Sequence, residues 1–354
     1  MVINFVVPEL ARTGGMRVIF EYANRFASGG HDVMMYTPVI PFYPYKGQVR
    51  RHFIKYQIAK VREFRKRNFK PPQDIFPHDF EIRYLWRMNN SNIRNADAVV
   101  ATSWTSSYPV ARLNESKGRK TYLIQDYEVW NSSVKHVDNS YRFPMRRITV
   151  SKYLQTLLTE KFGSDSTVIP NGIDFGVFNP GGRSVSGPGT VLFVDHPLSN
   201  KNTALAIETA RLIHERFPEV RFRAFGTRKY HELPGFIEFE LNPDDRGIAE
   251  LYRSSDIFLY TSTHEGFGLP PAEAMACGCA VVGTNAGAFP DYSVNGISAV
   301  IPDEFSADAF SKAVEQLLGD RNLLTRISEE AVKSVRSHLD WDKSVDRFLK
   351  VISA

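Results

Sequence analysis

Short apolar runs alternate with helix-like segments along most of this chain, and this alternation constrains the fold more than any other feature. Residues 2–7 (VINFVV) predict a buried strand, and DVMMYT predicts a second one. The segment between them begins with Gly14-Gly15 and has an apolar face at helical spacing: Val18, Ile19, Tyr22, Ala23 and Phe26. This βαβ pattern predicts a parallel sheet covered by helices.

One stretch rich in Gly and Pro, VIPNGIDFGVFNPGGRSVSGPGT, interrupts the alternation and predicts a linker. The strand–helix pattern restarts after it with VLFVDH, VRFRAFG and DIFLYTS. A length of 354 residues also suits two domains better than one core. The sequence therefore predicts two similar α/β domains facing each other across a cleft. The first spans 1–165, the second spans 166–339, and a last helix at 340–354 crosses back to the first.

Several classes of protein are excluded by composition. No run of about eighteen apolar residues is present, so no membrane span is expected. The segment MVINFVVPELARTGG lacks the basic start and long apolar run of a signal peptide. Cys277 and Cys279 are separated by one residue, which fits neither a useful disulfide nor a C-x-x-C site. A reduced, cytoplasmic protein is the simplest prediction.

Residues 46–70 hold a concentrated positive charge. They contain ten Lys or Arg and one acid, so the charge of this segment is +9. The net charge of the whole chain is +5, so the remainder is negative. Five apolar residues recur there at helical spacing: Phe53, Ile54, Ile58, Val61 and Phe64. Such a helix suits an anionic membrane surface, where each nearby cation contributes roughly 1 kcal/mol. The alternative is a solvated helix packed on its own domain. No RNA- or DNA-binding motif accompanies the charge, so a nucleic acid is not expected as a partner.

The stretch HEGFGLPPAEAMACGC places Glu265 and Glu273 on either side of a Gly-Phe-Gly turn. A strand-like run precedes it and a helical pattern follows, and α/β proteins bind ligands at such turns. Glycines allow backbone N–H groups to approach a ligand closely. The start of a helix attracts anions. The alternative is structural: Glu273 as a favourable acid in the first helical turn and Glu265 as a loop residue.

With these motifs the chain resembles the family-4 retaining glycosyltransferases of the GT-B fold, which have two Rossmann-like domains. The resemblance covers nearly the whole chain. It rests on five parts in the family's order: the glycine turn, SKYLQTLLTEKFG, the PNGID hinge, the lysine loop, and HEGFGLPPAEAMACGCAVV. It implies transfer of a hexosyl or deoxyhexosyl unit from a nucleotide-diphosphate sugar to a hydroxyl of a glycan or lipid-linked acceptor. The implied setting is bacterial surface polysaccharide or cell-wall glycan synthesis, without a metal or other cofactor.

The resemblance also implies roles for individual residues. Glu273 would accept hydrogen bonds from the donor ribose, and Glu265 would lie beside the donor sugar as a catalytic group. Lys201 would be the second catalytic group, as the cation for the leaving phosphate. The remaining donor-binding positions are Gly14, Gly15, His196, Gly226, Leu241, Gly266, Phe267, Gly268 and Leu269.

Two departures from the family pattern stand out. Asp195-His196 replaces the family's Gly-Arg pair, and Lys201-Asn202 replaces Lys-Gly. A histidine offers fewer donors than an arginine and is charged only in part near neutral pH. Either the phosphate clamp is weaker, or His196 contacts the donor differently. A loop histidine without a ligand is the alternative.

In the first domain, Gln125-Asp126 stands where relatives often carry His-Asp. Glutamine cannot act as a base, so a candidate for proton handling is lost there. Asp126 or Glu128 is expected to bind the acceptor, together with Gln125, and a capping or surface role is the alternative. The departures also keep open a non-catalytic GT-B subunit that binds a nucleotide sugar. A GT-B isomerase and an inverting transferase are further alternatives.

Overall fold

The computed structural model describes residues 1–40, 50–66, 75–129, 133–183 and 187–354. It divides into two compact units. The first consists of Met1–Ile169 with Asp342–Ala354, and the second of Pro170–Trp341. Within the described ranges, no helix is both long and apolar enough to span a bilayer.

The first unit contains a parallel sheet of seven strands in the order β3-β2-β1-β4-β5-β6-β7. The strands are β1 (Val2–Val6), β2 (Asp32–Pro38), β3 (Glu81–Leu85), β4 (Ala98–Ala101), β5 (Arg119–Ile124), β6 (Arg146–Thr149) and β7 (Thr167–Val168). Because β7 still pairs with β6, the chain leaves this sheet only after Val168. The first unit therefore extends a few residues past the predicted limit at 165.

Helices flank this sheet: α1 (Gly14–Ser28), α2 (Arg50–Lys66), α3 (Trp104–Ala111), α4 (Val134–Ser140) and α5 (Lys152–Phe162), with a 3₁₀ turn at Glu115–Lys117. The predicted helix after the first strand is confirmed. The Thr13 side chain caps α1 by accepting a hydrogen bond from the Met16 N–H. The helix ends at Ser28 with Gly29 as its C-cap, and Gly30 follows with φ +82°. The five predicted apolar residues of its buried face are all buried.

The second unit contains a parallel sheet of five strands in the order β10-β9-β8-β11-β12. The strands are β8 (Thr190–Val194), β9 (Arg221–Gly226), β10 (Ile237–Leu241), β11 (Ile257–Tyr260) and β12 (Ala280–Gly283). A 3₁₀ turn lies at Ser199–Lys201. The helices of this unit are α6 (Thr203–Arg216), α7 (Asp245–Arg253), α8 (Leu269–Ala276), α9 (Phe289–Tyr292), α10 (Ala307–Gly319) and α11 (Arg321–His338). The last helix of the chain is α12 (Trp341–Ser353).

Helix α12 belongs to the first unit, except for its first residue, Trp341. The ring of Phe348 lies 4.8 Å from that of Tyr22 and 5.4 Å from that of Phe26, both on α1. The Arg119 guanidinium donates to the Ser353 carbonyl at 2.6 Å. These contacts bury the apolar side of the helix against the first sheet and its helices.

Candidate functional site

The predicted donor motifs follow β8 and β11, which are neighbours in the second sheet although they are far apart in sequence. The chain leaves β8 toward helix α6 through Asp195 and Lys201, and it leaves β11 toward α8 through Glu265. The strand order reverses at β8, because β9 lies on one side of it and β11 on the other. Open α/β sheets bind ligands beyond the carboxyl ends of the strands at such a point.

The loops that follow β8 and β11 are bonded to each other. The Thr263 N–H donates to the Asn200 carbonyl at 2.7 Å, and the Asn200 amide donates to the His264 carbonyl at 2.9 Å. The Thr261 hydroxyl donates to the Lys201 carbonyl at 3.0 Å. Because these bonds join the residues just before Glu265 to Asn200 and Lys201, they hold the two predicted catalytic residues in register.

Lys201 and Glu265 form an ion pair. The Lys201 ammonium donates to Glu265 Oε1, and the Ser262 hydroxyl donates to the same oxygen at 2.8 Å. The Glu265 side chain is only 11% exposed. The arrangement sets one positive and one negative group side by side. A site that must hold an anionic leaving group next to a carbon gaining positive charge needs both.

Sequence reasoning did not identify Ser262. A serine between two threonines after a strand resembles any turn, and only the three-dimensional position shows its contact with Glu265. Its carbonyl in turn accepts a hydrogen bond from the Thr284 hydroxyl at 2.5 Å. Ser262 is therefore held by the loop that follows β12 and in turn holds the Glu265 carboxylate.

The turn after Glu265 depends on glycine at two positions. Gly268 has φ +89°, and a Cβ there would lie 2.9 Å from the Tyr260 hydroxyl. Gly287 has φ +65°, and its Cβ would lie 2.7 Å from Glu265 Cβ and 2.8 Å from the Phe267 carbonyl oxygen. Since L side chains rarely adopt this conformation, both positions require glycine. Gly287 comes from the loop after β12, and sequence reasoning missed it.

Helix α8 begins at Leu269, directly after Gly268, because the left-handed conformation of Gly268 turns the chain into the helix. Pro270 and Pro271 occupy the first turn, where a missing N–H costs little. The prediction that Glu273 lies in this first turn was wrong: no acid is present there, and Glu273 is one residue further along. Its side chain is buried. The positive end of α8 and the Glu265 loop thus meet at the glycine turn.

Asp195 is fully buried and binds the segment 227–231. Its Oδ2 accepts hydrogen bonds from the Tyr230 N–H at 2.7 Å and the His231 N–H at 3.3 Å. Its Oδ1 lies 2.6 Å from His231 Nδ1. Asp195 stands where the family has a glycine. The structure gives a reason for this replacement, because the carboxylate anchors a neighbouring loop.

His196 lies half-buried next to Lys201. Its Nδ1 accepts a hydrogen bond from the Leu198 N–H at 3.2 Å. Burial, with the nearby Lys201 charge as a smaller cause, lowers the pKa of His196 below its ordinary value. The imidazole is therefore mainly neutral near neutral pH and contributes little positive charge.

Gly226 and Leu241, two of the predicted donor-binding positions, stand at the ends of β9 and β10. A Cβ at Gly226 would lie 2.5 Å from the Asp195 carbonyl oxygen, so only glycine allows β9 to approach β8 so closely here. The Leu241 side chain is 64% exposed at the end of β10. The Asn242 N–H donates to the Gly226 carbonyl at 2.7 Å and joins the two predicted positions.

In the first unit, Gly14 and Gly15 form the first turn of α1. A Cβ at Gly15 would lie 3.6 Å from both the Oε1 and Nε2 atoms of Gln125, so these two predicted site residues are neighbours. No acidic residue lies in this first turn. The positive end of α1 is thus combined with an amide side chain that both donates and accepts hydrogen bonds.

Glu128 caps helix α3. Its Oε2 accepts a hydrogen bond from the Trp104 N–H at 3.0 Å. Asp126 accepts one from the Tyr127 N–H at 2.8 Å. Burial, with the nearby Asp126 charge as a smaller cause, raises the pKa of Glu128 to about 8, although the Trp104 hydrogen bond opposes this shift. The capping role left open for Glu128 is therefore present, and the group is a neutral carboxylic acid near neutral pH.

We expect Glu128 to make stability depend on pH. The folded state keeps its proton up to about pH 8, whereas the unfolded chain loses it near 4.5, so ionisation penalises the folded state increasingly between these values. Glu128→Gln keeps an acceptor for the Trp104 N–H and removes the charge. The free energy of unfolding of the native protein, relative to this variant, should fall by roughly 3 kcal/mol from pH 5 to pH 8. A difference that stays constant in urea unfolding across this range would contradict the shift.

The donor-site candidates, from His196 and Lys201 to Glu265 and Glu273, therefore gather in the second unit. The acceptor candidates, Gln125, Asp126 and Glu128, follow β5 in the first. Within the part of the chain that the structure describes, no group of three or more His, Cys, Asp and Glu side chains is arranged to hold a metal ion.

Comparisons with known proteins define the class. The model of Glycosyltransferase Family 4 matches residues 12–176, and that of Glycosyl transferases group 1 matches residues 180–334. A phosphatidyl-myo-inositol mannosyltransferase of Mycobacterium tuberculosis (strain H37Rv) is 30% identical over 344 residues, which cover 92% of this chain and 83% of that protein. The chain therefore belongs to the family-4 glycosyltransferases of the GT-B fold, and the resemblance drawn from its motifs is confirmed.

Solved structures agree on the fold. Anabaena HepE in complex with UDP has a TM-score of 0.76 at 15% identity, with complete coverage of both chains (100% each). A sucrose-phosphate synthase from Thermosynechococcus elongatus has a TM-score of 0.72 at 14% identity, covering 99% of this chain and 98% of that one. The predicted GT-B fold is thus confirmed by its two parallel-sheet units and by these neighbours.

Proposed function

We propose that this glycosyltransferase moves a hexosyl or deoxyhexosyl unit from a nucleotide-diphosphate sugar to a hydroxyl of a glycan or lipid-linked acceptor, with retention of configuration and without a metal. The observation that carries the proposal is the Lys201–Glu265 pair at the point where the strand order of the second sheet reverses. The UDP bound to the Anabaena neighbour and the lipid substrate named for the mycobacterial relative support the choice of donor and acceptor.

In this proposal the diphosphate is neutralised by the chain's own positive groups. Lys201 moves its ammonium from Glu265 to the leaving phosphate, and the start of α8 adds its backbone N–H groups. Glu265, still held by Ser262, then faces the sugar ring and stabilises the positive charge that grows at the reacting carbon. Glu273 accepts hydrogen bonds from the ribose.

The proton of the acceptor passes to the departing phosphate. The bond from the anomeric carbon to the phosphate oxygen breaks, the bond to the acceptor oxygen forms on the same face, and the acceptor proton ends on the phosphate. Two observations favour this course over a protein base. Glu265 Oε1 is engaged by Lys201 and Ser262, and His196 Nδ1 is engaged by the Leu198 N–H.

The stereochemical test uses the product. UDP-, GDP- and dTDP-sugars with known anomeric configuration are incubated with lipid-linked acceptors, and the new linkage is assigned by NMR coupling constants. Retention supports the proposal, and inversion would overturn the retaining mechanism. The competing function is a non-catalytic subunit, which the replacements at His196 and Gln125 favour. Transfer by a partner enzyme that survives Lys201→Ala in this chain would establish that alternative.

We also propose that the protein works at the cytoplasmic face of a membrane, where residues 46–70 contact anionic lipid. Residues 46–49 and 67–70 of this segment lie outside the described residues. On α2 the described basic side chains are exposed: Lys55, Arg62, Arg65 and Lys66. Ile58 is 47% exposed. Phe64, predicted on the same apolar stripe, instead packs on Tyr84 with ring centroids 4.0 Å apart, so it attaches the helix to its own unit.

Vesicle binding tests this surface. We expect the protein to co-sediment with phosphatidylserine vesicles and to lose binding when the four described cations of α2 are replaced by glutamine, because each contributes roughly 1 kcal/mol. The control replaces the exposed Lys312 and Lys333, which pair with acids on their own helices. Binding that is equal for phosphatidylcholine vesicles, or unchanged in the α2 variant, would contradict the proposal.

A further inference from the structure

The segment Thr227–His231, which follows β9, carries cations that the sequence motifs left without a role. Arg228 and Lys229 are exposed. The Arg228 guanidinium lies over the Tyr230 ring, 4.6 Å from its centroid. Among the described residues no carboxylate pairs with Arg228. An arginine held by an aromatic face, with its donors uncommitted to an acid, can bind an anion.

Hydrogen bonds fix this segment in place. Asp195 accepts hydrogen bonds from the Tyr230 and His231 N–H groups, and the Thr227 hydroxyl lies 2.7 Å from the Tyr230 hydroxyl. Asp195 has no exposed side-chain surface. A buried carboxylate with several backbone donors holds a loop firmly, because breaking the contact would leave the charge unpaired.

The same segment reaches His196. The rings of Tyr230 and His196 have centroids 6.4 Å apart. Tyr230 therefore contacts Arg228 and also lies close to His196, which occupies the position of the family's arginine. Two neighbouring replacements underlie both features: His196 stands at the family's arginine position, and Asp195 next to it anchors the segment.

We propose that Arg228 supplies the cation at the donor diphosphate that position 196 no longer supplies, and that Asp195 is the residue that positions it. The ligand is the diphosphate of the nucleotide sugar, so the inference rests on the proposed function. The replacement of the family's Gly-Arg pair by Asp195-His196 then does not weaken the binding of the diphosphate. The positive group comes from the loop after β9 instead of the loop after β8.

The test compares affinities for a diphosphate and for its parent nucleoside. Calorimetry with UDP, GDP, dTDP and ADP identifies the base, and the matching nucleoside serves as the probe that lacks phosphates. Arg228→Ala should raise the Kd for the nucleoside diphosphate about tenfold and leave the Kd for the nucleoside unchanged. Lys229→Ala, the adjacent exposed cation, is the matched control and should change neither.

A restored arginine provides the second arm. Adding His196→Arg to Arg228→Ala should recover most of the lost affinity for the diphosphate, since the cation returns to the family position. Equal diphosphate affinity in the native protein and Arg228→Ala would overturn this inference and leave the proposed function intact. An equal loss in Lys229→Ala would also overturn it. A well-folded native protein that binds none of the four diphosphates would overturn both the inference and the proposed function.

Discussion

Replacing Lys201 with alanine is expected to lower the turnover number of glycosyl transfer by about 10²–10³-fold. The reason is electrostatic: the lysine is the cation that neutralises the leaving phosphate in the transition state, and its ammonium stands beside Glu265. The Michaelis constant for the donor should change less than the turnover number, because charge on the phosphate grows as the bond breaks. Steady-state kinetics with the identified donor measure both quantities.

Loss of Lys201 also leaves the carboxylate of Glu265 with one fewer partner, so the variant should be less stable. The double variant Lys201→Ala, Glu265→Gln separates the two effects, because it removes the uncompensated charge. It should regain stability without regaining activity. Lys312→Ala, an exposed lysine paired with Asp308, is the control and should leave turnover unchanged. Full activity in a folded Lys201→Ala protein would contradict the assignment.

Gly287→Ala is expected to lower the free energy of unfolding by about 3 kcal/mol, combining backbone strain with overpacking. The new Cβ would lie 2.7 Å from Glu265 Cβ and 2.8 Å from the Phe267 carbonyl oxygen, and the backbone φ of +65° adds strain. Relief of the overlap must move the Glu265 loop, so turnover should fall as well. Urea unfolding and steady-state kinetics on the same preparation measure both effects.

Gly296→Ala is the matched control. Gly296 has a similar φ of +74° in the same unit, but no atom lies within 4 Å of the added Cβ. It should therefore cost about 1 kcal/mol, from backbone strain alone, and leave turnover unchanged. If both substitutions had the same effect on stability, steric contact with the Glu265 loop could not be the cause.

The sequence was sufficient for the parts of the fold that depend on local patterns. Buried strands such as β1 and β8 are continuous apolar runs, and α5 carries its signals at both ends: the Ser151 side chain caps its start, and Gly163 ends it with φ +59°. Edge strands were harder. β3 and β10 mix charged and apolar residues because their side chains are largely exposed, so neither was predicted.

The site shows the same division. Glu265 and Lys201 could be proposed from the sequence because they stand in motifs of the family, and the resemblance assigns roles to these positions. Ser262 and Gly287 were missed because their importance comes from what lies opposite them in space: a carboxylate oxygen for one and a Cβ atom for the other. The role of Asp195 was hidden for the same reason, since its partners are thirty-five and thirty-six residues further along the chain.

Binding of a nucleoside diphosphate to the second unit is the central claim, and thermal unfolding with UDP, GDP, dTDP or ADP tests it most directly. A ligand at a hundredfold excess over its Kd stabilises the native state by roughly 3 kcal/mol, so the correct base should stand out by a clear rise in Tm. The rise should disappear in Glu273→Ala and persist in Glu329→Ala, an exposed acid on α11. A well-folded protein whose Tm none of the four nucleotides raises would contradict the account.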